Sequence, residues 1–262
     1  MTIVKTRSFI DYYSELAKAK RDISGRGGNT ADLQITSQQI IDKLSINSGD
    51  SVVDIGCGDG TALILAADAV KHQEGWSLTG ILPTKEEVAY VKELRQEYPE
   101  IDFMQGYATA TGLQNSYADV VICNGVLLLM ADNNELRRAI SEIFRITKPE
   151  GKVLIGEMPD CEVNQPTAPS VVDLSFSSRL LRKLKNEGLL GLIRRLKQSL
   201  NAKELVIVKP LKTLSISRDE FTKMLEQSGL DVIECFRPVG VDPFRGVVTS
   251  ESRWSYLCIR RK

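Results

Sequence analysis

Ten residues constrain the fold of this chain more than any others: Ser51–Gly60, reading S-V-V-D-I-G-C-G-D-G. A short β-branched run, Val52, Val53 and Ile55, carries one embedded acid, Asp54, and leads into glycines at alternate positions, Gly56, Gly58 and Gly60. The apolar, Ala/Leu-rich segment Thr61–Val70 follows at once. The pattern predicts a buried parallel strand, a tight turn and a helix. Glycine takes positive φ at little cost and, lacking a Cβ, lets a ligand approach the backbone closely. A strand end meeting the free N–H groups of a helix start makes a ligand site. Because Thr61 follows Gly60, the spacing is G-x-G-x-G and does not meet the dinucleotide fingerprint G-x-G-x-x-G. A tight strand-to-helix turn in some other α/β protein is the alternative.

The 262 residues suffice for one large α/β domain, or an ordinary domain with an elaboration. Lys plus Arg number 34 and Asp plus Glu 34, so the molecule has no overall field to gather nucleic acid, and no nucleic-acid partner is expected. Cys57, Cys123, Cys161, Cys235 and Cys258 are scattered without a C-x-x-C pair, and His72 is the single histidine. This gives no zinc-ligand spacing and no expected metal; reduced thiols in a cytoplasm are the default. The N-terminal M-T-I-V-K-T-R-S-F-I-D-Y-Y has no long apolar core, and no uncharged apolar run reaches about 18 residues. Neither export by a recognisable signal nor a membrane span is expected, and the localisation read from the sequence is cytoplasmic.

In chain order, residues 1–50 read as a helical lead-in. It comprises an amphipathic helix over Phe9–Lys20, a Gly-rich polar loop over Arg21–Thr30 and a second helix over Thr36–Leu44. Past the glycine turn, strands are expected at Ser77–Leu82, Ile101–Gln105, Ala118–Cys123 and Lys152–Glu157. Helices are expected at Thr84–Tyr98 and Asn133–Thr147. Alternation with crossovers of this length means an α/β fold with a doubly wound, mostly parallel sheet.

Together, Asp54 and the glycine turn, A-D-V-V-I-C-N-G at Ala118–Gly125, R-I-T-K-P-E-G-K-V-L-I at Arg145–Ile155, and S-R-D-E-F-T-K-M-L-E-Q-S-G-L-D-V-I-E at Ser217–Glu234 resemble class I S-adenosylmethionine (SAM) dependent methyltransferases of the type 11/12 kind. Trp254–Ile259 suits that family's seventh, antiparallel strand. The likeness covers roughly residues 35–159 and 214–261. It implies a Rossmann-like, seven-stranded sheet, SAM as cofactor, residues 51–262 as the methyltransferase-like domain and residues 1–50 as a lid over the cofactor pocket. It also implies a helical insertion, residues 161–213, between the fifth and sixth strands of the sheet. Carried over residue by residue, the cofactor site comprises Asp54, Gly56, Cys57, Gly58, Leu82, Tyr107, Ala108 and Asn124, the last through its carbonyl.

Two of these positions depart from the family pattern. The acid that usually closes the second strand and accepts the ribose hydroxyls is replaced by Leu82, and the acid that accepts from the adenine amine is replaced by Tyr107. A hydrogen bond to a carboxylate is worth about 1.5–3 kcal/mol, so the ribose loss alone weakens binding about tenfold or more. Tyr107 offers stacking or its phenol oxygen in partial substitution. Either SAM binding is retained, or the chain is a catalytically silent binding module or takes an altered nucleoside.

Methyl transfer needs the protein to place the nucleophile and, for a hydroxyl acceptor, to take its proton. Glu157, at a strand end, is the candidate base; a salt-bridged structural acid is its alternative. Asp160 and Tyr12 are weaker candidates, Cys57 and Cys123 read as packing residues, and His72 as a surface residue. Residues 176–203 repeat apolar positions at helical spacing, opposite a face rich in Lys and Arg. That face fits a solvated cap or a peripheral contact with an anionic inner membrane surface. The expected function is O-methylation of a small-molecule or glycan acceptor, including a lipid-linked one, with the oligomeric state left open.

Overall fold

A computed structural model of the chain describes residues 2–47, 49–70, 75–163, 205–208, 213–242 and 246–262. Its centre is a seven-stranded sheet built from β2 (Ser51–Ile55), β3 (Ser77–Leu82), β4 (Ile101–Gln105), β5 (Ala118–Asn124), β6 (Thr147–Pro159), β8 (Leu230–Phe236) and β11 (Arg253–Arg260). The spatial order is β4-β3-β2-β5-β6-β11-β8. Strands β2 to β6 pair in parallel, and β11 inserts antiparallel to both β6 and β8. This is the doubly wound, mostly parallel sheet expected from the alternating pattern, with the seven strands and the antiparallel last-in-sequence strand that the resemblance implied.

Strand β2 shows why the glycine turn needs a buried strand before it. Alternate residues of a strand face opposite sides of the sheet. Val53 and Ile55 face a core shared with α5 (Asn133–Ile146) and α6 (Arg218–Gln227), while Val52 joins a second core with α1 (Phe9–Lys18), α2 (Thr30–Leu44), α3 (Thr61–Val70) and α4 (Lys85–Leu94). Each fully buried Val, Leu or Ile contributes about 1.5–3 kcal/mol of transfer free energy, so both faces fix the register. Asp54 shares the face of Val52, toward the lead-in.

The strand order reverses between β2 and β5, where β3 lies on one side and β5 on the other. In open α/β sheets such a switch point leaves a crevice at the strand C-termini. Helix α2 covers it: the helix starts at Thr30, earlier than the expected Thr36, because the Asn29 side chain accepts from Asp32 N–H and caps it. Helix α4 ends at Leu94 rather than Tyr98, and Arg95 then turns its guanidinium to the Asp59 carbonyl and carboxylate.

Two small pairings were not expected from sequence. Strand β1 (Thr2–Lys5) pairs in parallel with β7 (Leu205–Val208), and β9 (Val239–Asp242) forms a hairpin with β10 (Gly246–Thr249). The hairpin lies on α2: Val239 N–H donates to Gln39, Val241 N–H donates to Asp32, and Thr36 donates to the Val239 carbonyl. The amphipathic basic stretch read over 176–203 and His72 lie outside the described residues. No helix among the described residues is long and apolar enough to cross a membrane.

Candidate functional site

A cavity of about 220 Å³ occupies the switch-point crevice. Its floor is the glycine turn with the ends of β2, β3 and β5: Asp54, Gly56, Cys57, Gly58, Leu82 and Asn124 all line it. Its roof comes from the lead-in, with Tyr13, Ile23, Ser24 and Arg26 from α1 and the following loop, and Ser37 and Ile40 from α2. Tyr107 and Ala108 do not line it. Tyr107 bridges to Ala110 and is 43% exposed, while Ala108 packs against the apolar core.

The turn needs glycine for two different reasons. At Gly56, φ is +70° and a Cβ would stand 2.4 Å from Val126 Cγ2, so the turn passes directly against the segment after β5. At Gly58, φ is +56° and a Cβ would meet the Ser24 Cα at 3.3 Å and the Ile23 carbonyl at 3.4 Å. The close approach that Gly58 permits is therefore taken up by the chain's own roof loop. Arg95 braces the turn from outside, its Nη2 donating to Asp59 Oδ2 at 2.9 Å and to Thr61 Oγ1 at 3.3 Å.

Three buried carboxylates face this cavity: Asp54, Glu87 and Glu157. Asp54 is 4% exposed and has no hydrogen-bond partner among the described residues. Burial first, and the nearby Asp59 charge second, push its carboxyl up to about 8. Glu87, on the first turn of α4, is 3% exposed. Thr84 caps the helix by accepting from Glu87 N–H and donates its hydroxyl to Glu87 Oε2 at 2.6 Å. Burial raises Glu87 to about 7, with the Thr84 bonds opposing. Sequence reading passed over Glu87, although T-K-E-E is a capping-box spelling; its aim into the cavity is a property of the fold. The buried Cys57 thiol is pushed up, by burial foremost and then by the Asp54 and Asp59 charges, so it is no thiolate nucleophile. Cys123 is likewise buried and pushed up, away from the cavity.

Glu157 does reach the cavity, by an unusual route. Strand β6 carries an extra residue opposite Trp254–Tyr256 of β11, and Glu157 at this bulge has φ +63°. Bulges re-aim side chains, here inward. Its Oε1 accepts from Arg26 Nη2 of the roof loop, and its Oε2 accepts from Arg253 Nη1 at 2.6 Å. Arg26 also pairs with Asp32 at 3.4 Å. Asp160 accepts from the Trp254 indole N–H at 3.0 Å and from Glu162 N–H, and does not line the cavity. Tyr12 packs edge-on to Tyr13, which is the member of the pair at the cavity. Among the described residues no group of three or more His, Cys, Asp or Glu is placed to hold a metal ion.

A glycine turn and acid at the switch point of a sheet ordered this way define the class I methyltransferase fold. Residues 53–155 match the family described as "Methyltransferase domain", in line with the resemblance of the motifs. A demethylmenaquinone methyltransferase from Renibacterium salmoninarum is 29% identical over 119 residues, 45% of this chain and 45% of that one. Among solved structures, a SAM dependent methyltransferase from Aquifex aeolicus superposes with a TM-score of 0.57 at 12% identity, covering 95% of this chain and 98% of that one. The [4+2]-cyclase SpnF superposes with a TM-score of 0.61 at 13% identity, covering 100% and 97%. This chain spans about half the length, or less, of the curated relatives it matches.

Proposed function

We propose that the chain is a SAM-dependent methyltransferase whose acceptor is the hydroxyl of a small molecule or glycan. The observation that carries the cofactor reading is the switch-point cavity itself, in which the Asp54 carboxylate, unpartnered among the described residues, stands beside the glycine turn of the segment that matches the methyltransferase domain family. A nucleoside–amino acid ligand offers hydroxyl, amine and ammonium donors, and this cavity offers acceptors: Asp54, a free oxygen of Glu87 and the end of β5 at Asn124. Leu82, Ile122, Leu128 and Leu129 supply apolar wall. The residues present therefore fit the group. The cavity of about 220 Å³ is smaller than the ~300–1,000 Å³ of ligand pockets in general. Binding thus requires the roof loop, with positive-φ Gly25, Gly27 and Gly28, to yield.

Bound SAM would supply the electrophilic methyl. The chain's own part is to bind, orient and exclude water. Asp54 in its buried position holds a cationic ligand group once it is ionised, and the ligand charge repays the desolvation that the empty site suffers. The ion pairs of Glu157 with Arg26 and Arg253 fasten the roof loop to the sheet and keep solvent out. Both Glu157 oxygens are engaged by guanidinium donors, which favours an orienting and fastening role over that of the proton acceptor. The balanced overall charge and the narrow, roofed crevice support a small acceptor over a nucleic acid.

A second reading, a binding module that keeps the fold without methyl transfer, is favoured by Leu82 and by the Ser24 backbone seated against Gly58. Isothermal titration with SAM and S-adenosylhomocysteine separates the two. Micromolar binding that is lost in Gly58→Trp supports the transferase and justifies an acceptor screen. No heat at millimolar ligand moves the assignment to the binding module.

A further inference from the structure

Just past the end of β3, where the strand itself offers none, the cavity contains an acceptor with no partner among the described residues. Leu82 is 1% exposed and apolar. A short way on, the chain enters α4 at its Thr84 cap, and Glu87 returns its carboxylate to the same cavity that Leu82 and Pro83 line. One oxygen, Oε2, is held by the Thr84 hydroxyl at 2.6 Å; the other, Oε1, has no hydrogen-bond partner among the described residues. A carboxylate 3% exposed with a free oxygen is costly unless something donates to it. Holding one oxygen by the cap fixes the rotamer, so the free oxygen is already aimed before a ligand arrives.

We propose that Glu87 accepts the vicinal hydroxyls of the ligand's sugar, doing from the first turn of α4 what no side chain at the end of β3 can do. This rests on the nucleoside-cofactor reading of the cavity given above. The choice of a neutral diol over a cation follows from where Glu87 sits. The first turn of a ten-residue helix presents unpaired N–H groups and the positive end of the helix dipole. A cation is disfavoured there, whereas a neutral hydroxyl pair donates to the carboxylate without bringing a positive charge to the helix start. Asp54, on the neighbouring strand with the Asp59 charge close to it, is the partner left for the ligand's cationic end. Tyr13, whose phenol is pushed up to about 12 by burial, with Glu87 among the charges that raise it further, remains a neutral roof over this corner.

The test measures the affinity of the full chain for S-adenosylhomocysteine and for its 2′,3′-dideoxy analogue, in wild type and in Glu87→Gln, by isothermal titration. Wild type should lose about tenfold in affinity or more when the hydroxyls are removed, the loss expected for hydrogen bonds to a charged acceptor. In Glu87→Gln the affinity for S-adenosylhomocysteine should fall about tenfold, while the dideoxy analogue should bind both proteins alike. Circular dichroism and the Tm of the ligand-free variant establish that it is folded, and Glu87→Asp provides a second carboxylate variant. Tight wild-type binding that Glu87→Gln leaves unchanged overturns the role of Glu87 and leaves the cofactor reading standing. An equal loss for both ligands means that Glu87 meets some other donor and also overturns it. If wild type binds neither ligand, the cofactor reading itself falls, and the inference with it.

Discussion

Asp54 and Glu142 are both buried carboxylates, and their surroundings drive them in opposite directions. Asp54 has no donor among the described residues and rises from 3.8 to about 8. Between these values the folded protein keeps a proton that the unfolded chain has released, so its stability is full below pH 4 and falls as pH rises toward 8. The cost at pH 8 is on the order of 5 kcal/mol at most. The Tm advantage of Asp54→Asn over wild type should therefore widen from pH 5 to pH 8 in thermal melts; a constant gap would mean that the carboxylate is hydrated. Glu142 instead accepts from Arg145, from Thr111 N–H at 2.7 Å and from the Thr111 hydroxyl at 2.6 Å, and falls to about 2, with the Arg145 hydrogen bond as the largest cause. Its contribution is present above pH 4.5 and is lost as pH falls toward 2. Glu142→Gln should destabilise by about 1.5–3 kcal/mol at pH 7 in urea unfolding, with the difference shrinking near pH 3.

At the scale of elements, the question is what holds the lead-in on the sheet. Three contacts do so near the cavity: Ser24 against Gly58, Arg26 on Glu157, and the β9–β10 hairpin on α2. The ion pair is the one that bridges roof and floor, and Arg26 and Glu157 have side-chain exposures of only 18% and 6%. Breaking a hydrogen bond to a buried charged group costs about 1–3 kcal/mol. Arg26→Ala should expose the loop around Arg21–Asn29, which limited proteolysis would read as faster cleavage there with the sheet intact. Unchanged cleavage would show that the Ser24 and hairpin contacts suffice. Gly58→Trp acts on the same seam from the other side. Its φ of +56° strains any L side chain, and the roof backbone lies 3.3 Å from the new Cβ, so the variant should lose both close roof packing and ligand binding.

For the whole molecule, a cavity closed over by its own lead-in ties ligand binding to global stability. A ligand that binds only the folded chain stabilises it by about 2.7 kcal/mol at a hundred times its Kd. Differential scanning fluorimetry with S-adenosylhomocysteine should thus raise Tm by several degrees in wild type and not in Gly58→Trp; the same rise in both would place the ligand elsewhere. Local pattern decided much of this architecture. The β-branched run, the alternate glycines and the amphipathic α5 each specify an element through their own periodicity, and the order of those elements leaves few topologies for a parallel sheet. Hence β3 and β4 fall at their expected residues and the crevice at the expected turn. Only the tertiary structure decided what surrounds that turn. Tyr107 lies outside the cavity, in the tight bridge with Ala110 that follows β4. Glu157 meets Arg26 and Arg253, far apart in sequence, because a bulge in β6 turns it inward. Glu87 faces the ligand space because α4 starts at a cap just beyond β3. Periodicity is a property of neighbours along the chain, whereas burial, charge pairing and an unsatisfied oxygen depend on which distant segments the fold brings together.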